Sequence, residues 1–320
     1  MLNRAKFFPY ACLFILLVAF SAKKIHDRDI GFHLRAGEWI LDHRSFPTTG
    51  VFSYGIPDRD HVNLYWLFEV TQTVLYKLGG YVALGIFQTL WIVGMFGWVR
   101  VALRARGLTD GTILWTMMAI VFVIEPRFNY RPEIWSWFFL TALIACFEHF
   151  LATRRSGGLW WIPAIMILWV NSHALFVLGY IVIGAYLWTL WRRRLLQHET
   201  IRPLALAAAL ALANPWFVEG ALTPLQLLLH FEPASFFSNA VSELSSPWKR
   251  GVIEQLGVPF ESVSLYYFFS SAVLPFWPGD FDRWKPMNGY CLPSLLIYPP
   301  PKSETFLSSR SPLYQSSCIA

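Results

Sequence analysis

Charged side chains are scarce in this sequence: Asp, Glu, Lys and Arg make 14% of 320 residues, against roughly 25% in soluble domains. That shortage excludes a string of ordinary soluble domains. Cysteine is equally thin. Cys12, Cys146, Cys291 and Cys318 show no metal-ligand spacing, and the first two sit in apolar runs where a thiol is a small hydrophobe. No disulfide, redox role or metal site is assigned. The chain has no Gly-rich phosphate loop, no nucleophile elbow and no His-x-x-x-His or Cys-x-x-Cys pair. A soluble nucleotide-binding domain is therefore excluded as the source of any donor. No internal repeat is found.

What is present is apolar. Hydrophobic residues make 55% of the chain, mean hydropathy is +0.43, and 16 Trp, 13 Tyr and 27 Phe suit headgroup boundaries and helix packing. The net charge of +6 does not point to nucleic acid, because the basic residues form short clusters between apolar runs. Charge-poor stretches at 7–22, 81–99, 111–124, 134–151, 159–170, 175–191, 203–218 and 262–277 predict an all-α, polytopic transmembrane bundle of about eight spans. The first run ends in Ser21-Ala22, which a signal peptidase also favours; it is read here as an uncleaved anchor. Residues 1–277 form the expected membrane domain, and 278–320, with Pro299-Pro-Pro301 and scattered Ser, an expected disordered tail.

Basic clusters fall in every second connection: Arg4 and Lys6; Arg100, Arg104 and Arg106; Arg154 and Arg155; Arg192, Arg193, Arg194 and Arg202. By the positive-inside rule these connections are cytoplasmic, against the two offending residues Lys23 and Lys24. The opposing connections, 23–80, 125–133, 171–173 and 214–261, then face outward. In the outer loop 23–80, Gly31, Arg35, Glu38 and Asp42 fall on one helical arc while Ile30, Leu34, Leu41, Phe32, Trp39 and Ile40 make an apolar surface, as in an interfacial helix. A second helix over 63–78 should end at Gly79-Gly80, and a short one should begin at Thr223 with Pro224 in its first turn.

The residues able to do chemistry gather on that outer side. Asp27 and Asp29 follow the first span, where carboxylates serve as general base or hold a divalent cation. The competing reading makes Asp29 a helix cap and Asp27 a partner of the helix's positive end. Glu125, Arg127, Arg131 and Glu133 crowd one short connection, and Arg grips phosphate bidentately, although helix-end ion pairs account for the same pattern. Asn171 and His173 interrupt an apolar stretch and should face a cavity, a partner or the interface, or simply break the helix. Glu69, Asn214-Pro215, His230 and Ser242-Glu243 fall on the same side.

Taken in order, the runs DRDIGFHLRAGEWI (27–40), FPTTGVFSY (46–54), WLFE (66–69), RPE (131–133), WVNSH (169–173), ANPW (213–216) and SELSSP (242–247) resemble the multi-spanning GT-C glycosyltransferases, especially bacterial members. The resemblance implies sugar transfer from a polyprenyl-phosphate donor to a lipid or glycan acceptor, outside a bacterial plasma membrane. It gives Asp27 or Asp29 the role of general base and Arg127 or Arg131 the donor phosphate. Glu133, His173 and Glu243 would shape or polarise the cavity, with His33, Glu69 and Asn171 as further cavity residues. The alternative is a non-enzymatic membrane protein that binds or translocates a polyprenyl-linked lipid. The chain departs from the family pattern at Tyr65 and Gly50, where acidic residues are common, and after Trp277, where relatives carry further spans. Truncation or a shifted reading frame is the expectation for that tail.

Overall fold

In the computed structural model of the chain, the described residues are 4–22, 29–52 and 60–229. They belong to one compact unit. Their regular structure is helical, beside an isolated bridge between Thr49 and Asp60. The helices are α1 (Arg4–Ser21), α2 (Ile30–His43), α3 (Trp66–Ala105), α4 (Asp110–Ile124), α5 (Glu133–Thr153), α6 (Trp161–Val170), α7 (Phe176–Arg192), α8 (His198–Ala209) and α9 (Phe217–Leu229). The all-α expectation holds for these residues.

The count of about eight spans is not established by the described residues. Among the described residues only α3 and α5 are long and apolar enough to cross a membrane, with a third crossing if the pair α8 and α9, bent by 90°, is one broken span. The runs at 111–124, 159–170 and 175–191 form helices of 15, 10 and 17 residues. At about 1.5 Å per residue each is shorter than a hydrocarbon core of about 30 Å. The expected span at 262–277 lies outside the described residues.

Helix α3 is two helices in one run. Gly79 and Gly80 leave helical geometry, and Gly80 takes φ 58°, a left-handed conformation that glycine adopts without a Cβ penalty. The first half carries α2 and the second enters the bundle, as the Gly-Gly pair predicts. Along the second half Val82, Ile86 and Leu90 are 72, 58 and 65% exposed, while Leu84 and Ile92 are fully buried. An outward stripe of large aliphatic residues on one helix face suits contact with lipid. On the inner face Trp91 stacks on Trp135 and Phe138 of α5, with centroids at 4.6 and 4.3 Å. Ile92, Met95 and Phe96 join Phe139, Leu143 and Phe147, while α4 adds Ile113, Met117 and Val121 at four-residue intervals. In lipid such packing holds helices by dispersion, since burial from lipid brings little hydrophobic gain.

Helix α2 crosses α3 at unusually short range. A Cβ added at Gly37 would lie 2.3 Å from the Glu69 carbonyl oxygen and 2.4 Å from Thr73 Oγ1. Thr73 Oγ1 also donates to Leu34 O across the crossing, at 2.9 Å. The buried face of α2 is Ile30, His33, Ala36, Gly37 and Ile40, so part of its expected membrane-facing surface is turned onto α3; Phe32 and Leu41 stay exposed.

The run at 203–218 breaks where one span was expected. Asn214 Nδ2 donates to Ala211 O and Phe217 O, and its Oδ1 accepts from Trp216 N at 2.9 Å. This side chain replaces the helical ladder and turns the chain at Pro215, which has no N–H to continue it. Helix α9 then begins at Phe217 instead of Thr223, and Pro224 lies inside it. Thr223 Oγ1 does not cap; it donates to Glu219 O at 2.7 Å.

The two ends of the bundle differ. Where α3 meets α4, Arg104 pairs with Asp110 at 2.6 Å and Arg106 with Glu148 at 2.8 Å, and Glu148 also accepts from Tyr186. At the other end Asn171 joins three segments: its Oδ1 accepts from Trp66 Nε1 at 2.9 Å, and its Nδ2 donates to Ile167 O and Ala213 O at 2.8 Å. Phe46 packs there against Trp66 and Trp216, at 5.2 and 5.5 Å between centroids.

Two substitutions test this packing. Gly37→Ala forces a methyl into backbone at the α2 crossing and should lower stability by about 1–3 kcal/mol, read as a lower unfolding midpoint in detergent. Ile86→Lys should make membrane insertion of this segment less favourable by about 2.5–3.5 kcal/mol if lipid surrounds the stripe; insertion efficiency equal to wild type would contradict that exposure.

Candidate functional site

A cavity of about 300 Å³ opens at the Asn171 end, lined by Asp29, Phe32, His33, Tyr65, Arg131, Pro132, Glu133 and His173. Each contributing segment leads into a helix. Asp29 is the N-cap of α2, with Phe32 and His33 in its first turns. Tyr65 precedes α3, Arg131 and Pro132 precede α5, Glu133 begins it, and His173 lies in the turn before α7. Residues up to 144 positions apart in sequence meet here because the bundle returns these turns to one level.

Asp29 sits at the capping position but makes no side-chain cap bond. Its Oδ2 lies 3.4 Å from Arg131 Nη2 instead, an ion pair half open to solvent. Arg127, the other expected phosphate ligand, does not line the cavity; its Nη1 stands 3.7 Å from Glu133 Oε1. That Glu133 oxygen takes no hydrogen bond, although Arg127 meets its charge. Asn171 does not line the cavity either, and its amide is engaged by the three bonds given above. Asp27 and Glu243, like His230, lie outside the described residues.

Glu69 is fully buried just behind the lining. Its Oε1 is 3.1 Å from His33 Nδ1, and its Oε2 accepts from Asn63 Nδ2 at 2.6 Å. Asn63 is itself fixed, since its Oδ1 accepts from Tyr65 N at 2.9 Å. A buried carboxylate must be paired in this way, because an unpaired one costs several kcal/mol or more. Its charge reaches Tyr65 too: burial first, then Glu69, raises the phenol above its ordinary range. Tyr65 therefore enters the cavity as a neutral hydroxyl.

The tautomer of His173 follows from its neighbours. Trp169 Nε1 can only donate, so Ser136 Oγ accepts from it at 2.8 Å; the Ser136 proton goes to His173 Nδ1, 2.9 Å away, because the Leu175 N–H requires that nitrogen to accept. Leu175 N also donates to Nδ1, at 3.2 Å. Nδ1 is thus an acceptor and the neutral ring carries its proton on Nε2. Burial, reinforced by the nearby His33, pushes this imidazole down to about 4.

Tyr65, Ser136 and Asn63 are functional neighbours that the residue patterns did not single out as such. Tyr65 stood out only as a departure from the family pattern. Ser136 is a lone hydroxyl in an apolar helix, and nothing in its spacing announces a histidine partner. Among the described residues no cluster of His, Cys, Asp and Glu is arranged to hold a metal ion. Comparison with family models, with curated proteins and with solved structures finds no match.

The His173 environment gives a signed pH effect. Folded His173 stays neutral down to about pH 4, whereas the ring in the unfolded chain protonates near 6.5. Above 6.5 both states are neutral and the group has no effect; as pH falls from 6.5 to 4 the unfolded state gains protons and stability drops. Thermal unfolding in detergent across this window should show a larger loss for wild type than for His173→Gln, and equal losses would contradict the assignment.

Proposed function

We propose that this chain is an integral membrane glycosyltransferase of GT-C type, transferring a sugar from a polyprenyl-phosphate donor to a lipid or glycan acceptor. In this reading the protein forms a bundle of about eight spans in a bacterial plasma membrane, with its site on the non-cytoplasmic face. One observation carries the reading: the cavity brings Arg131 and an acid to the N-terminal ends of several helices at once. Backbone N–H groups and the positive ends of helix dipoles favour an anion there, and Arg adds a planar pair of donors for phosphate oxygens. Orientation has support of its own, since the basic connections fall at the end where Arg104, Arg106 and Glu148 meet.

The roles divide by position. Arg131 grips the donor phosphate and offsets the charge that grows on it as the glycosidic bond breaks. Asp29 holds Arg131 in place until the phosphate arrives. Glu133, a lining residue whose Oε1 is buried against Arg127, keeps that arginine's charge beside the site. The cavity is near the small end of ligand pockets, enough for a sugar and phosphate, so the prenyl chain must lie outside it along the lipid-facing surface.

Purified protein in lipid vesicles, supplied with a panel of polyprenyl-phosphate sugars, should release polyprenyl phosphate and glycosylate an acceptor. Arg131→Gln should reduce transfer by roughly 10²–10³-fold, with Arg131→Lys restoring little because a point charge lacks the fork. A polyprenyl phosphate that binds wild type and is never consumed would replace this reading with one of lipid binding or translocation. No binding and no transfer would remove both.

A further inference from the structure

We infer that His33, oriented by the buried Glu69, is the group that takes the acceptor's proton, and that His173 faces it as a fixed hydrogen-bond donor. The inference rests on the transferase reading and names the chemistry within it.

The two imidazoles are set in opposite senses by their surroundings. Glu69 Oε1 occupies the Nδ1 edge of His33 at 3.1 Å. A carboxylate only accepts, so the proton of neutral His33 sits on Nδ1 and the lone pair on Nε2. Glu69 stands behind the ring and does not line the cavity, whereas His33 does; the edge left for the cavity is Nε2. His173 is the reverse case, with Nδ1 accepting from Ser136 and Leu175 and its proton on Nε2. Tyr65 contacts both rings, at 6.0 Å from His33 and 5.4 Å from His173 between centroids, and all three line the cavity. One wall therefore offers a base and the other a donor.

The ring of His33 is also held still. Phe68 packs edge-on against it at 5.3 Å, and Asn63 fixes the second oxygen of Glu69. Asp29, by contrast, has an oxygen at Arg131 and a side chain 57% exposed. A base must present a lone pair at a fixed point, and His33 is held at one by packing and by a hydrogen bond from behind.

The step balances. The acceptor hydroxyl oxygen attacks the anomeric carbon as His33 Nε2 takes its proton. The bond between that carbon and the phosphate oxygen breaks, the electron pair leaves with polyprenyl phosphate, and Arg131 holds the departing oxygens. The proton then passes from Nε2 to bulk water when the products leave. His173 Nε2–H is placed to donate to a sugar or phosphate oxygen throughout, because its Nδ1 side is already satisfied.

The test uses full-length protein in vesicles and two readouts. His33→Gln keeps an N–H for Glu69 but has no basic nitrogen, so kcat should fall by roughly 10²–10⁴-fold with KM little changed. Glu69→Gln, a positioning change, should lower kcat less and also leave KM in place. Nitrogen NMR of labelled histidine, assigned with His33→Gln and His173→Gln, should show neutral His33 protonated at Nδ1 and His173 at Nε2; in Glu69→Gln the His33 signal should move toward a tautomer mixture. Transfer by wild type that persists in His33→Gln, or that Asp27→Asn or Asp29→Asn abolishes while His33→Gln retains it, would overturn the assignment and leave the transferase reading standing. A neutral His33 protonated at Nε2 would overturn it as well. A wild type that transfers no sugar from any polyprenyl phosphate removes the transferase reading first, and the base with it.

Discussion

A carboxylate with no solvent exposure has to be met by donors on every side, and in this protein that constraint falls on Glu69. Its two oxygens take His33 from α2 and Asn63 from the segment ahead of α3. His33 does not reach it unless α2 lies almost in contact with α3, which is why a residue without a side chain occupies position 37. The same approach fixes Asp29, Phe32 and His33 at the cavity, since they are the first turns of the helix that Glu69 pins. Breaking such a pair from one side typically costs 3–5 kcal/mol, so the site and the α2 crossing stand or fall together.

Much of the fold was legible because lipid leaves few options. Apolar runs without charge became helices, and Gly79-Gly80 divided α3 at the expected place. Length was harder to read, because periodicity says where a helix is and not where a side chain ends it. Asn214 is the example: a single amide that satisfies the turn's own backbone converts an apparently continuous span at 203–218 into a 90° corner. Pro224 misled in the opposite way, being a helix-starting signal by statistics and an interior residue in fact.

The candidate site was legible in part for a related reason. Polar residues between apolar runs are rare enough to notice, and Asp29, His33, Arg131, Glu133 and His173 all reach the cavity. Other described residues of the motif set are scaffold. Phe46, Trp66, Asn171, Ala213 and Trp216 tie the same end together through hydrogen bonds and ring contacts. Sequence alone does not separate the two classes, since a polar group that latches segments and one that faces a cavity are equally unusual in an apolar chain. Geometry separates them by whether the amide or ring edge is already taken: every polar atom of the Asn171 side chain is, whereas only the Nδ1 edge of His33 and of His173 is.

The arrangement at the cavity also explains why basic and acidic groups are mixed there. Helix N-termini carry roughly half a positive charge each, and α2 and α5 both begin at the lining with Arg131 close by. Left alone, these would make a strongly positive mouth that any anion would fill. Asp29 and Glu133 sit at those same helix starts, each within ion-pair distance of an arginine, and offset that field. In the proposed transferase an incoming phosphate would compete with a carboxylate for Arg131, so a polyprenyl phosphate would gain over a bare anion by what its sugar and chain contact elsewhere. Two histidines that add no fixed charge in their neutral forms suit such a balance. In the inferred role His33 would take a proton at one edge, and the carboxylate of Glu69 at its other edge would offset the charge gained, while His173 stays neutral.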